Sequence, residues 1–401
     1  MTAAVVTGLG VVSPNGLGAE GFWTATLKGH SGIAEISRFD TTGSAARLAG
    51  EVTDFDPAEH LSNRLLPQTD PSTRFALAAA DWALADAGAD LAELADYDMG
   101  VVTSNAFGGF EFTHREFAKL WTRGPKHVSV YESFAWFYAV NTGQISIKHK
   151  LRGPSKALVA EQAGGLDALG HARRAIRDGA RLVVTGGMDS ALEPWGWAAQ
   201  VSGGRVSPHG YLPFDRSASG HVPGEGGALL VLEEAASARR RGVTRVYGEI
   251  AGHASTFDPP PGSSRPPALR RAIELALTDA GVASDDVDVV LADGAGVAEL
   301  DRQEAAALRD VFGERAVPVT VPKALTGRLM SGGGPLDVVA ALLCLRDGVI
   351  PPTAATHDVP DDYGIDLVLG SPRYARLSTA LVLARGKWGF NAAAVVRAGD
   401  R

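Results

Sequence analysis

The chain is poor in the residues that build cross-linked or metal-bound scaffolds. It has a single cysteine, Cys344, which excludes an internal disulfide and any cysteine-rich metal site. Its ten histidines are scattered, and no two stand at the i, i+3 or i+4 spacing of a helical metal site. No stretch approaches the ~20 apolar residues that span a bilayer. No run of lysine or arginine offsets the net charge of −8, which argues against a nucleic-acid binder. Met1–Gly8 enters a strand-like run at once, with no basic region and no separate signal sequence. A cytoplasmic globular protein, with no metal, is expected.

What is present points to a layered α/β architecture. At roughly 150 residues per unit, 401 residues suggest two or three units and a large core. Short apolar runs read as buried strands at Val5–Leu9, Val101–Thr103, Leu182–Thr185, Leu229–Leu232, Val287–Leu291 and Ala380–Ala384. Ala-rich amphipathic stretches lie between them. One pattern occurs twice. Trp82–Gly88 precedes Asp96–Val102, and Leu275–Gly281 precedes Asp286–Val290; each reads as a helix closed by glycine, an acidic loop and a buried strand. The spacing is close to half the chain, so the expectation is two related halves, residues 1–250 and 251–401. The Pro/Gly-rich stretch Pro259–Pro267 reads as the loop between them, or equally as a surface excursion.

The most informative segment is Gly153–Gly170, GPSKALVAEQAGGLDALG, read as strand, sharp turn and helix. A turn residue at a helix start faces free N–H groups and the positive end of the helix dipole, where a thiolate forms easily. This segment resembles the nucleophile turn of the beta-ketoacyl synthases of the thiolase fold. There the turn residue is cysteine, and here it is Gln162, whose amide is no nucleophile at neutral pH. The resemblance extends over nearly the whole chain through Thr7–Gly16, Pro213–Gly227 and Pro351–Thr353. It implies duplicated α-β-α-β-α halves. Asp215 and Glu225, in the central motif, read as turn organisers.

The family's two histidines are missing as well. The Ala-His-Gly pattern corresponds to Ala292-Asp293-Gly294, and the Lys…Thr-Gly-His pattern to Lys323…Thr326-Gly327-Arg328, so Lys323 is retained while Asp293 and Arg328 replace the imidazoles. A carboxylate repels a developing enolate, and a guanidinium is no acid–base near neutral pH. Asp293 and Arg328 are expected to pair, closing the old site. Gly386–Gly389 stands where the family has a Gly-Phe-Gly-Gly gate, and Trp388 is expected to fill the pocket. Cys344, within the apolar run Val339–Leu345, reads as a core cysteine.

An inactivated site on an intact family fold resembles the chain-length factor, the beta subunit of type II polyketide synthases. The resemblance implies a heterodimer with a ketosynthase alpha subunit, formed through the strand near Lys156–Ala160. It further implies an acyl carrier protein bearing phosphopantetheine, with no cofactor on this chain. Phe110, Thr113 and Phe117 share a helical face at i, i+3, i+7. In chain-length factors that face, with the position of Trp195, lines a tunnel for the growing polyketide; two Phe and one Trp imply an about octaketide-sized chain. Without the family this face reads as core. Tyr131–Tyr138, with five aromatics in eight residues, reads as interface or core. His114 and His171 read as helix-surface or interface residues. The competing functions are a malonyl decarboxylase acting through Gln162, as in related glutamine-bearing domains that keep both histidines, and a scaffold that shapes no tunnel.

Overall fold

The computed structural model describes residues 2–260 and 262–399. The first half contributes β1 (Ala4–Ser13), α1 (Pro71–Asp86), β2 (Met99–Ser104), α2 (Phe110–Arg123), β3 (Ser155–Leu158), α3 (Gly164–Arg177), β4 (Leu182–Asp189), α4 (Pro194–Ser202) and β5 (Gly226–Glu234). The second half contributes β6 (Gly248–Phe257), α5 (Leu269–Ala280), β7 (Val289–Leu291), α6 (Ala298–Phe312), β8 (Pro318–Thr320), α7 (Gly333–Asp347), β9 (Asp366–Leu367), β10 (Thr379–Arg385) and β11 (Phe390–Ala398).

Strand order makes the duplication explicit. The first half runs β3-β2-β4-β5-β1 and the second β8-β7-β10-β11-β6, with β9 extending the second edge. In both, the first two pairings are parallel and the last two antiparallel. The halves join where β1 meets β6, with Val5 opposite Glu249 and Val6 opposite Gly248. The repeated sequence pattern falls on equivalent elements: α1 leads into β2, and α5 into β7. Gly88 and Gly281 follow these helices with φ of 55° and 62°, a left-handed backbone that costs glycine little.

Both faces of each sheet are covered, which explains the uninterrupted apolar strands. Along β5, Leu230 and Leu232 face an inner core with Leu166 and Leu169 of α3 and Val338–Leu345 of α7. Leu229 and Val231 point to the opposite face, against Phe75–Ala83 of α1. On the second half, Leu269–Leu277 of α5 and Ala305–Leu308 of α6 cover the outer face. Helix α7 packs against strands of both halves, and its residues Gly333–Leu345 are buried on every side. Cys344 is fully buried there, and burial pushes its thiol well above the ordinary range, in keeping with a core cysteine.

The halves approach closely at Ser331. A Cβ added to Gly165 or to Gly187 would lie 2.1 Å from its backbone oxygen. Asp189, fully buried at the end of β4, accepts from the Ser331 N–H at 2.9 Å and from its hydroxyl, and from the Ala106 N–H at 2.9 Å. Burial pushes the Asp189 carboxyl up to about 6.

The Pro259–Pro267 loop connects β6 to α5, inside the second half and not between the halves. Residue 250, the expected division, falls within β6, whose strand opens the second repeat. Pro261 lies outside the described residues. Among the described residues, no helix is long and apolar enough to cross a membrane.

Candidate functional site

The site stands at the start of α3. Strand β3 ends at Leu158, and Glu161 then takes φ 51°, a left-handed conformation uncommon for a side chain larger than glycine's. A single turn, Glu161–Ala163, delivers Gln162 to the helix N-terminus. Gln162 is fully buried, and neither atom of its amide has a hydrogen-bond partner. It packs over Gly333, where a Cβ would fall 2.3 Å from its Nε2.

Beyond β7, Asp293 is fully buried, and Arg328 is 5% exposed. Arg328 Nη2 donates to both Asp293 carboxylate oxygens at 3.0 Å each. It also reaches the backbone oxygen of Arg385, whose N–H returns a bond to Asp293 at 2.9 Å. Burial lowers the guanidinium's pKa, but Asp293, Tyr211 and Glu161 outweigh it and hold Arg328 above its usual value. Glu304 anchors the turn from below, accepting from the N–H of Asp293 at 2.7 Å and of Gly294 at 2.9 Å. Burial, reinforced by the Asp293 charge, raises the Glu304 carboxyl. Asp293 and Arg328 thus form a closed, buried ion pair with its own backbone supports.

Lys323 is buried beside them. Its Nζ lies 2.6 Å from Asp337 Oδ2 and donates to the Ala292 oxygen at 2.6 Å. Burial pushes Asp337 up to about 6 against the pull of Lys323. The retained lysine ties the turn before Asp293 to α7, a structural use of its charge.

A cavity of about 280 Å³ opens at this pair, lined by Asp293, Arg328, His221, Glu161, Arg385 and Lys387 among others. Burial pushes the His221 imidazole down to about 3, and the charges of Arg328, Arg205 and Lys387 add to the effect. Trp388 does not fill the pocket as expected. It is 75% exposed at the rim, with φ 74°, and Lys387 Nζ lies 5.0 Å from its ring. The loop before it is tied down by a hydrogen bond from the Lys387 N–H to the Glu161 carboxylate. Asp215 and Glu225 organise backbone. Asp215 is held down to about 2, because N–H bonds from Asp358, His357 and Ser217 outweigh its burial. Glu225 accepts from Val52 N–H at 2.8 Å and from Arg38 and Ser190.

A second cluster lies on α2 and α4. Phe110 is the first residue of α2, and its ring sits 5.5 Å from Trp195. Phe117 sits 5.9 Å from the same indole. Three of the four tunnel candidates therefore meet, while Thr113 buries its hydroxyl and makes no ring contact with Trp195. The unexpected member is His114, whose ring lies 5.7 Å from Trp195 and whose Nδ1 pairs with Glu193. The spacing 110, 114, 117 is as good a helical stripe as 110, 113, 117, and that signal was available in the sequence. Phe107 joins this cluster to the cavity, 6.1 Å from Phe110.

Strand β3 ends the sheet, paired on one side only, with β2. In the segment before it, Trp136, Phe137 and Tyr138 are 47%, 47% and 38% exposed, so this aromatic run is not ordinary core. His171 faces Lys156 of the edge strand at 3.4 Å. Among the described residues, no group of His, Cys, Asp or Glu side chains is placed to hold a metal ion.

The arrangement is a left-handed turn that carries a buried glutamine to a helix start, on duplicated α/β halves. The beta-ketoacyl synthase N-terminal domain family matches residues 1–238 and the C-terminal domain family residues 247–357. The chain is 66% identical to an actinorhodin polyketide putative beta-ketoacyl synthase 2 of Streptomyces coelicolor, over 98% of each chain. It is 59% identical to the tetracenomycin polyketide synthase ketoacyl synthase beta subunit of Streptomyces glaucescens, over 98% of each. Among solved structures, the ishigamide ketosynthase/chain length factor matches with TM-score 0.91 and 28% identity over 100% of both chains. A type II polyketide synthase acyl-carrier protein in complex with its ketosynthase bound to the hexaketide contains a chain matching with TM-score 0.90 and 26% identity, over 100% of both. The chain belongs to the beta-ketoacyl synthase family, in its ketosynthase-beta, or chain-length-factor, branch of the type II polyketide synthases.

Proposed function

We propose that this chain has no condensing activity of its own, pairs with a ketosynthase alpha subunit and sets polyketide chain length by lining an interface tunnel. The observation that carries the reading is the buried Asp293–Arg328 pair in place of two general acid–bases, beside a glutamine in place of the nucleophile. Such a subunit is useful only through a partner. The free edge of β3 and the half-exposed aromatics before it offer the surface for one.

In this reading the partner supplies cysteine and histidine chemistry and takes malonyl units from an acyl carrier protein. The carrier's phosphopantetheine is the prosthetic group of the complex, and this chain binds none. Phe110, Phe117 and Trp195 form the end wall, with Thr113 at the side, and a wall of three large rings suits an about octaketide-sized chain. The division into halves falls between β5 and β6. Decarboxylation through Gln162 fits less well, because the amide is sealed from the cavity and Asp293 opposes an enolate's charge.

The test is co-expression with the alpha subunit and carrier protein, followed by mass analysis of products. Phe110→Ala or Phe117→Ala is expected to lengthen the main product by at least one acetate unit. Unchanged lengths would leave only a scaffold, and malonyl decarboxylation by the chain alone would favour the decarboxylase.

A further inference from the structure

On the tunnel reading above, we propose that His114 and Glu193 form a clamp that fixes Trp195 in the end wall, which makes His114 a positioning residue for product length. The carboxylate of Glu193 is the N-cap of α4. It accepts from the Trp195 N–H at 3.1 Å and from the Gly196 N–H, and is 5% exposed. The same carboxylate holds His114 Nδ1. One buried group therefore ties the first turn of α4, which carries the indole, to the second turn of α2, which carries both phenylalanines.

Trp195 needs such an anchor. It is 40% exposed, and ring contacts of the kind it makes with Phe110 and Phe117 are individually weak. His114 also completes the wall, since its imidazole lies between the two phenylalanines along the helix and faces the indole. Behind it is open space. A groove of about 440 Å³ is bounded by His114, Glu193, Arg38, Phe39, Arg115 and Leu192. Shortening His114 joins that space to the aromatic cluster and frees the indole to swing into it. The direction of the effect is therefore toward longer chains.

The test uses the complex with its alpha subunit and carrier protein, and reads the ratio of longer to parental products by mass spectrometry. His114→Ala is expected to raise that ratio about threefold or more, the size of effect that follows from losing one ring contact with its anchor. His114→Gln keeps a donor for Glu193 but no ring; it is expected to give a smaller rise, and it replaces the alanine variant should that one fail to assemble. His114→Ala/Glu193→Gln is expected to match the stronger single variant, because the two residues act as one unit. Phe117→Ala serves as the control. If it lengthens products while neither His114 variant moves the ratio, the clamp is wrong and the tunnel stands; if it changes nothing, the tunnel itself fails. Lower total product at a constant ratio, or additive effects in the double variant, would also overturn the clamp.

Discussion

Removing Arg328 tests the central electrostatic claim. Asp293 is fully buried; one guanidinium nitrogen donates to both of its carboxylate oxygens at 3.0 Å, and the Arg385 N–H adds a bond at 2.9 Å. Arg328→Met would leave that carboxylate without a cation in contact and with the Glu304 carboxylate close by. Breaking one side of a buried pair costs about 3–5 kcal/mol. Unfolding entropy of roughly 2.1 cal/mol/K per residue gives about 0.8 kcal/mol/K for this chain, so the melting temperature should fall by about 4–6 °C. Asp293→Asn should cost less, because the amide still accepts the Arg385 N–H and Glu161 remains near the guanidinium. Asp293→Asn/Arg328→Met should recover at least half of the loss, since neither a lone buried charge nor an unpaired Arg385 N–H remains. The assay is differential scanning fluorimetry of the chain, alone and with its alpha subunit. A drop below about 1 °C for Arg328→Met, or a double variant worse than both singles, would refute the reasoning.

Three further outcomes follow from the same geometry. On the proposed function, Gln162→Cys should give a thiol at the turn yet no chain extension in a carrier-protein assay, because the neighbouring Asp293 and Arg328 are locked in an ion pair and neither is a general acid–base near neutral pH; extension would show that imidazoles are dispensable. His221 is neutral in the fold, with its pKa pushed down to about 3. Its contribution is therefore complete above its unfolded pKa and is lost as pH falls toward 3, which at pH 5 amounts to about 2 kcal/mol against an unfolded value near 6.5. His221→Gln should lose that much less stability than the parent between pH 7 and pH 5, measured by denaturant titration, and parallel losses would contradict the assignment. Gly187→Ala should abolish soluble expression, because its Cβ would lie 2.1 Å from the Ser331 oxygen where the halves meet. Gly281→Ala, with open space around it, should cost only about 1–2 kcal/mol from its left-handed backbone; similar losses for the two would mean that close approach is not what selects glycine.

The sequence by itself determined the architecture and the residue types at the turn and beside it. Strand and helix periodicities, and the glycines that close α1 and α5, are local properties, so the repeat at Trp82–Val102 and Leu275–Val290 was legible before any tertiary contact was known. That Gln162, Asp293 and Arg328 carry an amide, a carboxylate and a guanidinium was equally legible, since side-chain chemistry belongs to the residue wherever it sits. Tertiary structure decided what those groups do instead. Asp293 and Arg328 are 35 residues apart, and only the fold of β7 against the loop before α7 brings them to 3.0 Å. Periodicity left residues 113 and 114 nearly equivalent beside Phe110 and Phe117; the packing of α4 on α2 turned His114 toward Trp195. Trp388 was expected inside and stands outside, because the backbone angle of its loop directs the indole to solvent, and no count of side-chain volumes contains that angle.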